Sequence, residues 1–198
     1  HVTSFVMNKP STPPAFCMAL RKYLRNGRIR SVQQPDFERV IIIQIDMREG
    51  MFSLITELFG DGNIILVNPQ SSIQHALAYR KMRDRNVLRG ASYQPAPVSG
   101  RNPLKTSRRD FDELKQFGQL EVVRALTKLL GIGGLYSEEI LLRAKVDKNI
   151  LCETLTQEQI NIVYAETQFL ASKIVDMKIE PCIVTDEKGE FLDVIPFP

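Results

Sequence analysis

The 198-residue chain has no tryptophan and only three cysteines, Cys17, Cys152 and Cys182, set far apart without a Cys-x-x-Cys spacing. That excludes a disulfide framework and a cysteine zinc ribbon, and it suits a reducing cytoplasm. The two histidines, His1 and His75, are isolated, and no Ser-His-Asp set, metal-ligand cluster or Walker-type phosphate loop is visible. No catalytic residue, metal or small-molecule cofactor is therefore expected. No apolar run approaches the roughly 20 residues that cross a bilayer, so no membrane is expected as a partner. The chain opens His1-Val2-Thr3-Ser4, without a basic region followed by an apolar stretch, which predicts no secretion signal. The missing initiator methionine predicts a truncated start. Acids are scarce in places. None precedes Asp36, whereas Lys9, Arg21, Lys22, Arg25, Arg28 and Arg30 do. Between Gly62 and Arg109 the only acid is Asp84, against nine Lys or Arg. The tail from Glu153 onward is acidic. Such polarity predicts a basic face for an anionic partner, the plainer alternative being an ordinary solvated surface.

What is present is a globular composition, 43% hydrophobic and 25% charged, in a length that suits one large or two small domains. Residues 1–12 read as polar and extended. Thr12 is the expected N-cap of a helix entered through Pro13 and Pro14, with Phe16, Leu20, Tyr23 and Leu24 at helical spacing. Arg21, Lys22, Arg25 and Arg28 fall off that stripe, and Asn26-Gly27 ends it. Strand signals follow at 28–33, 40–47, 51–59, 63–67 and 72–79, separated by Gly50, Gly60-Asp61-Gly62 and Asn68-Pro69. Tight turns between successive strands predict an antiparallel meander rather than a doubly wound sheet. Residues 79–90 are basic without a helical stripe, and 90–103 reads as the linker. Helical patterns then cover 108–117, 120–130 and 136–144. Thr156 and Gln159 form a capping box with Leu155 as staple, and 182–185 with 191–195 form a terminal hairpin.

The stretch Leu130 to Ala144, LGIGGLYSEEILLRA, reads as helix, glycine hairpin, helix. Gly131 is expected at positive φ, Gly133 and Gly134 at a tight reversal, and Ser137 as the next N-cap. The hairpin is either an ordinary buried one or a phosphate site built from Gly131, Gly133, Gly134 and Tyr136, using free amides at the second helix's start.

The hairpin resembles two families: the helix–two-turns–helix of formamidopyrimidine-DNA glycosylases, and the NFACT family of ribosome-quality-control tailing factors, some labelled fibronectin-binding protein A-like. More of the chain resembles NFACT. Pro13 to Lys22 is similar to its helix entry. Glu57-Leu58-Phe59-Gly60 with Asn63 to Val67 is similar to its glycine turn and strand. Met82 to Val87 with Gly90, Tyr93 and Pro95 is similar to its loop, and Pro196-Phe197-Pro198 to its close. The flavour is archaeal. The glycosylase reading lacks an N-terminal proline nucleophile with an adjacent glutamate, and it lacks material for a four-cysteine finger.

The NFACT resemblance implies an α+β fold. An antiparallel β-domain similar to the glycosylase N-terminal domain would occupy 1–100, a helix-two-turns-helix-like domain 101–178, and a closing β-hairpin 179–198. It implies a non-enzymatic, cytoplasmic module that binds tRNA and the large ribosomal subunit and recruits aminoacyl-tRNA for untemplated tailing of stalled chains. The family's Asp-Arg pair after Gln-x-Gly-x matches Gln34-Pro35-Asp36-Phe37-Glu38-Arg39, with Pro35-Asp36 where glycine is usual and Glu38 for Asp. The implied tRNA contacts are Glu38, Arg39, Arg80, Lys81, Arg83, Arg85 and Arg89, beside the basic face of Arg21, Lys22, Arg25 and Arg28. A glycosylase-like DNA-binding domain and an adhesion module are the alternatives.

Overall fold

The computed structural model describes residues 10–98 and 100–197. The expectations for residues 1–9, including His1 and Lys9, and for Pro198 lie outside these. The chain divides into two compact units, 1–97 and 98–198.

In the first unit, α1 (Ala15–Leu24) is entered through Pro14, not Thr12. No side chain caps the helix. Pro14, with its fixed φ, takes the cap position, and its carbonyl accepts from the Met18 amide at 3.1 Å. Asn26, at φ 64°, turns the chain away, and the Gly27 amide donates to the Leu24 carbonyl at 3.1 Å. The strands β1 (Arg28–Gln33), β2 (Val40–Met47), β3 (Gly50–Glu57), β4 (Asn63–Val67) and β5 (Ile73–Ala76) form one antiparallel sheet in sequence order, the expected meander. Strand β3 stops at Glu57 rather than residue 59, and β5 is shorter than the expected 72–79, with a register irregularity opposite it in β4.

The register sorts two apolar faces. Ile45, Phe52 and Leu66 share one face, where Tyr23 of α1 stacks on Phe52 with centroids 6.2 Å apart. The other face gathers Val40, Ile55, Ile65, Val67, Ile73 and Ala76 into a buried cluster with Val87. Full burial of each valine or isoleucine in it is worth about 1.5–3 kcal/mol. Val87 comes from a two-residue pairing of β6 (Arg80–Lys81) with β7 (Asn86–Val87). The next residues return to the sheet. Gly90 donates to Ile73, Ile73 to Ala91 and Tyr93 to Ser71, each at 2.8 Å. The first part of the expected linker is therefore hydrogen-bonded structure, and only its later part connects the units.

In the second unit, residues 108–117 form a 3₁₀ helix, tighter than the α-helix the spacing predicted, opened by a Ser107–Asp110 capping box and closed at Gly118 with φ 57°. Helices α2 (Val122–Leu130), α3 (Gly134–Arg143) and α4 (Gln157–Val175) surround a core of Phe111, Leu126, Ile140, Leu141, Ile160 and Val163. The Thr156–Gln159 capping box is present, with the Gln159 amide donating to Thr156 Oγ1 at 3.1 Å. Strands β8 (Cys182–Thr185) and β9 (Phe191–Ile195) make the terminal hairpin, and Ile195 and Phe197 join the helical core.

Two expectations for the glycine hairpin are corrected. Ser137 does not cap α3. It lies inside the helix, fully buried, its Oγ 2.9 Å from Thr127 Oγ1 across to α2, and Gly133 is the cap residue. Nor do Gly133 and Gly134 make a positive-φ reversal. Gly133 has φ −66° and ψ 155°, and Gly134 already belongs to the helix. Gly131 alone turns the chain there, at φ 63°. The close approach is made by Gly100, where a Cβ would overlap the Gly131 nitrogen and the Leu130 carbonyl carbon. No periodicity signals that contact.

Candidate nucleic-acid interface

The first unit holds 13 Lys and Arg against 7 Asp and Glu, the second 13 against 16. The four residues of the expected basic face lie on α1, just after it and at the start of β1. Arg21, Lys22, Arg25 and Arg28 are exposed while Ala19 is buried beneath them. A groove of about 800 Å³ runs along the helix, lined by Met18, Leu20, Arg21, Lys22, Leu24 and Arg25. Lys22 Nζ lies 5.2 Å from the centre of the Tyr23 ring.

The 80–90 segment splits into two kinds of cation. Lys81, Arg83 and Arg89 are exposed. Arg80 reaches Asp61 at 3.3 Å, a surface pair worth little. Arg85 is different: it is 6% exposed and forks onto Glu57, 4% exposed, at 2.6 and 2.7 Å. It also donates to the Gln94 carbonyl at 3.2 Å. The hydrogen bond to Glu57 holds the guanidinium pKa above its ordinary value against the opposing effect of burial. Arg85 thus fastens the segment to the sheet and is buried where the expected RNA contact calls for an exposed cation. Alternating charge in a loop does not reveal which arginine turns inward. The signal that could have done so is Glu57, the one acid closing an apolar strand.

Glu38 and Arg39 sit in a turn immediately before buried Val40. The Glu38 amide donates to Pro35 at 3.0 Å, Gln34 Nε2 donates to the Glu38 carbonyl at 2.9 Å, and Leu58 donates to the Arg39 carbonyl at 2.8 Å. Arg39 is exposed and Glu38 half-buried. Asp36, which occupies the place of the resemblance's usual glycine, has φ 48°. Asp tolerates that left-handed conformation better than most residues, so the turn keeps the shape a glycine would give.

Of the four hairpin residues, two are committed elsewhere. The Gly131 amide donates to Thr127 at 2.9 Å, and the Tyr136 ring packs edge-on against Phe197 at 5.6 Å. Gly133 and Gly134 stay exposed. Beside Gly134 lies an open cleft of about 500 Å³ lined also by Arg124, Thr127, Lys128, Glu138 and Lys148. Arg124 pairs with Glu121 at 2.9 Å and Lys148 with Glu138 at 2.8 Å. Lys128 has no ion pair among the described residues and was not singled out by sequence, because it reads as an ordinary solvated helix position.

His75 lies on β5 with Nδ1 3.0 Å from the Tyr79 hydroxyl. Among the described residues no group of His, Cys, Asp and Glu could hold a metal, and no helix is long and apolar enough to cross a membrane.

The family model described as NFACT N-terminal and middle domains matches residues 1–198. Among curated proteins, the chain is 33% identical over 200 residues to the archaeal Rqc2 homolog aRqcH of Methanocaldococcus jannaschii, covering 98% of this chain and 29% of that protein. It is 30% identical over 158 residues to the Rqc2 homolog RqcH of Bacillus subtilis, covering 73% and 27%. The chain thus spans less than a third of these relatives. Among solved structures, the fibrinogen-binding protein of Staphylococcus aureus aligns with a TM-score of 0.68 at 22% identity, over 94% of this chain and 70% of that one. The MutM (Fpg) protein of Thermus thermophilus aligns at 0.51 and 16%, over 86% and 70%. These last two are likenesses of fold, and they include the glycosylase architecture anticipated from the hairpin.

Proposed function

Because the chain belongs to the NFACT N-terminal and middle-domain family, we propose that it is the RNA-binding module of a ribosome-associated quality-control factor. It binds tRNA and the large ribosomal subunit in the cytoplasm and helps recruit aminoacyl-tRNA for untemplated tailing of stalled chains. The peptide bond is made by the ribosome, so the module itself is not an enzyme. The observation that carries the reading is a group of exposed cations in the β-rich unit that includes Arg21, Lys22, Arg25, Arg28, Arg39, Lys81, Arg83 and Arg89. None of them forms an ion pair among the described residues. A solvated structural surface tends to interleave its signs. A surface that neutralises phosphates does not.

Within this reading, Arg39 offers a planar fork to a phosphate or an exposed base, and half-buried Glu38 orients it. Gly133, Gly134 and Lys128 supply one further phosphate contact from the helical unit. A relative named ribosome quality control complex subunit NEMF homolog, from Drosophila melanogaster and 28% identical over 170 residues, supports the reading. The test is binding of tRNA, duplex DNA containing an oxidised base, and fibronectin to the same chain across a salt series. Binding to tRNA is expected to dominate, with log K falling against log salt by roughly 0.7–0.9 per phosphate neutralised. A flat salt response, or stronger binding to either other ligand, overturns the proposal.

A further inference from the structure

A second cleft, of about 640 Å³, opens where α1 meets the sheet, lined by Arg25, Asn26, Arg28, Asp46, Met47, Arg48 and Glu49. Its size lies within the range of roughly 300–1,000 Å³ that small ligands occupy. Two backbone segments build it, residues 25–28 and residues 46–49. Arg25 follows α1, Arg28 opens β1, and Arg48 with Glu49 forms the two-residue turn between Met47 and Gly50. The segments are held together by exclusion of side chains. A Cβ on Gly27 would overlap Met47 Sδ and Ile45 Cγ2, so only glycine lets the chain pass this close to β2. Gly50, at φ 119°, closes the turn, and a Cβ there would lie 3.0 Å from Pro69. The arginines are therefore displayed from pinned backbone rather than from a loose loop.

The charge content is mixed, which makes the cleft informative. Asp46 sits directly across the strand pair from Arg28 and is half-buried, yet it forms no ion pair or side-chain hydrogen bond among the described residues. Arg25, Arg28 and Arg48 likewise have no ion pair among them. Three unpaired guanidinium groups suit a phosphate, which offers only acceptors. A half-buried carboxylate in the same wall needs a donor, which a phosphate lacks. One polymer places both groups a few bonds apart: RNA, through a phosphate and the adjoining ribose 2′-hydroxyl. DNA supplies the first and not the second.

We infer that this cleft holds one ribonucleotide step, with Arg25, Arg28 and Arg48 on the phosphate and Asp46 accepting from the 2′-hydroxyl, so that it discriminates RNA from DNA. The inference rests on the RNA-binding reading proposed for the chain and adds Arg48 and Asp46 to it, neither of which charge patterning singled out.

The test measures affinities of the unaltered chain, Arg48→Ala, Asp46→Ala and Asp46→Asn for a tRNA and for a DNA strand of the same sequence. The unaltered chain should prefer the RNA. Arg48→Ala should weaken both ligands to a similar degree and reduce the salt slope by about 0.7. Asp46→Ala should lose about tenfold in RNA affinity, the worth of one charge-assisted hydrogen bond, while DNA affinity holds or rises as a repelling carboxylate is removed. Asp46→Asn keeps an acceptor oxygen and should retain part of the preference. Equal affinity of the unaltered chain for the two strands overturns the inference even if no Asp46 variant folds. So does an Arg48→Ala protein that binds as before. If the unaltered chain binds no tRNA, the RNA-binding reading falls as well. If it binds tRNA and only these variants are silent, this inference alone falls.

Discussion

The sharpest stability test in the β-rich unit is Arg85→Ala. The Arg85 and Glu57 side chains are each only 4% exposed, and their two hydrogen bonds leave neither charge facing water. Removing the arginine strands a carboxylate behind Val87 and Tyr93, in a cluster that also buries Ile55 and Ile65. Breaking a buried pair from one side costs about 3–5 kcal/mol. Because a kilocalorie moves the melting midpoint of a domain this size by about 4–8 °C, the loss should lower it by more than 10 °C. Replacing both partners, as in Glu57→Leu with Arg85→Met, should recover most of that loss, because the desolvation cost leaves with the charges. Urea or thermal melting of the two single variants and the double variant completes the cycle. If Arg85→Ala melts within about 0.5 kcal/mol of the parent, as harmless surface changes do, the fastening role is refuted. Should that variant also lose tRNA affinity, Arg85 belongs with the RNA contacts after all.

Three further outcomes are expected. Gly134→Ala should stabilise the helical unit by about 0.5–1 kcal/mol, since its Cβ meets nothing within 4 Å. Gly131→Ala at φ 63° should destabilise it by about 1–2 kcal/mol; matching signs in chemical denaturation would refute the backbone assignment. Burial, and secondarily the Glu57 charge, raises the Tyr93 pKa above 10.0. The folded state then keeps a proton that the unfolded state loses, so stability should fall as pH rises past 10.0, and Tyr93→Phe should flatten that slope. Arg39→Ala should abolish tailing in the full-length protein with little change in melting, Arg39→Lys should restore it partly, and Glu38→Asp should preserve it. Normal tailing by a well-folded Arg39→Ala protein would show that the pair has been placed on the wrong residues.

The sheet was readable because its strands are written in β-branched residues bounded by turn chemistry. Strands β1, β2 and β4 and the terminal hairpin fall where those signals put them. The Thr156 cap was readable for the same reason, being a local device with partners three residues apart. Errors arose where the deciding interaction is distant in sequence. Ser137 looks like a cap until Thr127 of the preceding helix claims its hydroxyl. Residues 90–93 look like a linker until β5 claims their backbone. Arg85 looks like its basic neighbours until Glu57, 28 positions earlier, is seen to bury it. Arg48 reads as an ordinary turn charge in the sequence, because its place beside Arg25 and Arg28 comes from the approach of the α1–β1 turn to the β2–β3 turn, which depends on the missing side chain of Gly27.

The fold by itself leaves function open, since the same architecture aligns with a protein named for fibrinogen binding and with the differently named MutM (Fpg) protein. What narrows it is how the cations are mounted. The α1–β1 turn carrying Arg25 and Arg28 is pinned by Gly27. The turn carrying Arg39 is shaped by Asp36 at positive φ and tied to Leu58. The segment carrying Lys81, Arg83 and Arg89 is fastened by the Arg85–Glu57 pair and by its hydrogen bonds to β5. Surface charges kept only for solubility need no such mounting, because long side chains on mobile backbone serve equally well. Fixing the backbone in advance lowers the ordering entropy that binding would otherwise cost. It also sets the spacing between cations, which matters for a polyanion of regular phosphate spacing and not for a diffuse counterion cloud. Loosening one mount should therefore weaken RNA binding without removing any charge. Gly27→Ala, which adds a methyl and leaves every arginine in place, is the variant in which geometry and charge part company.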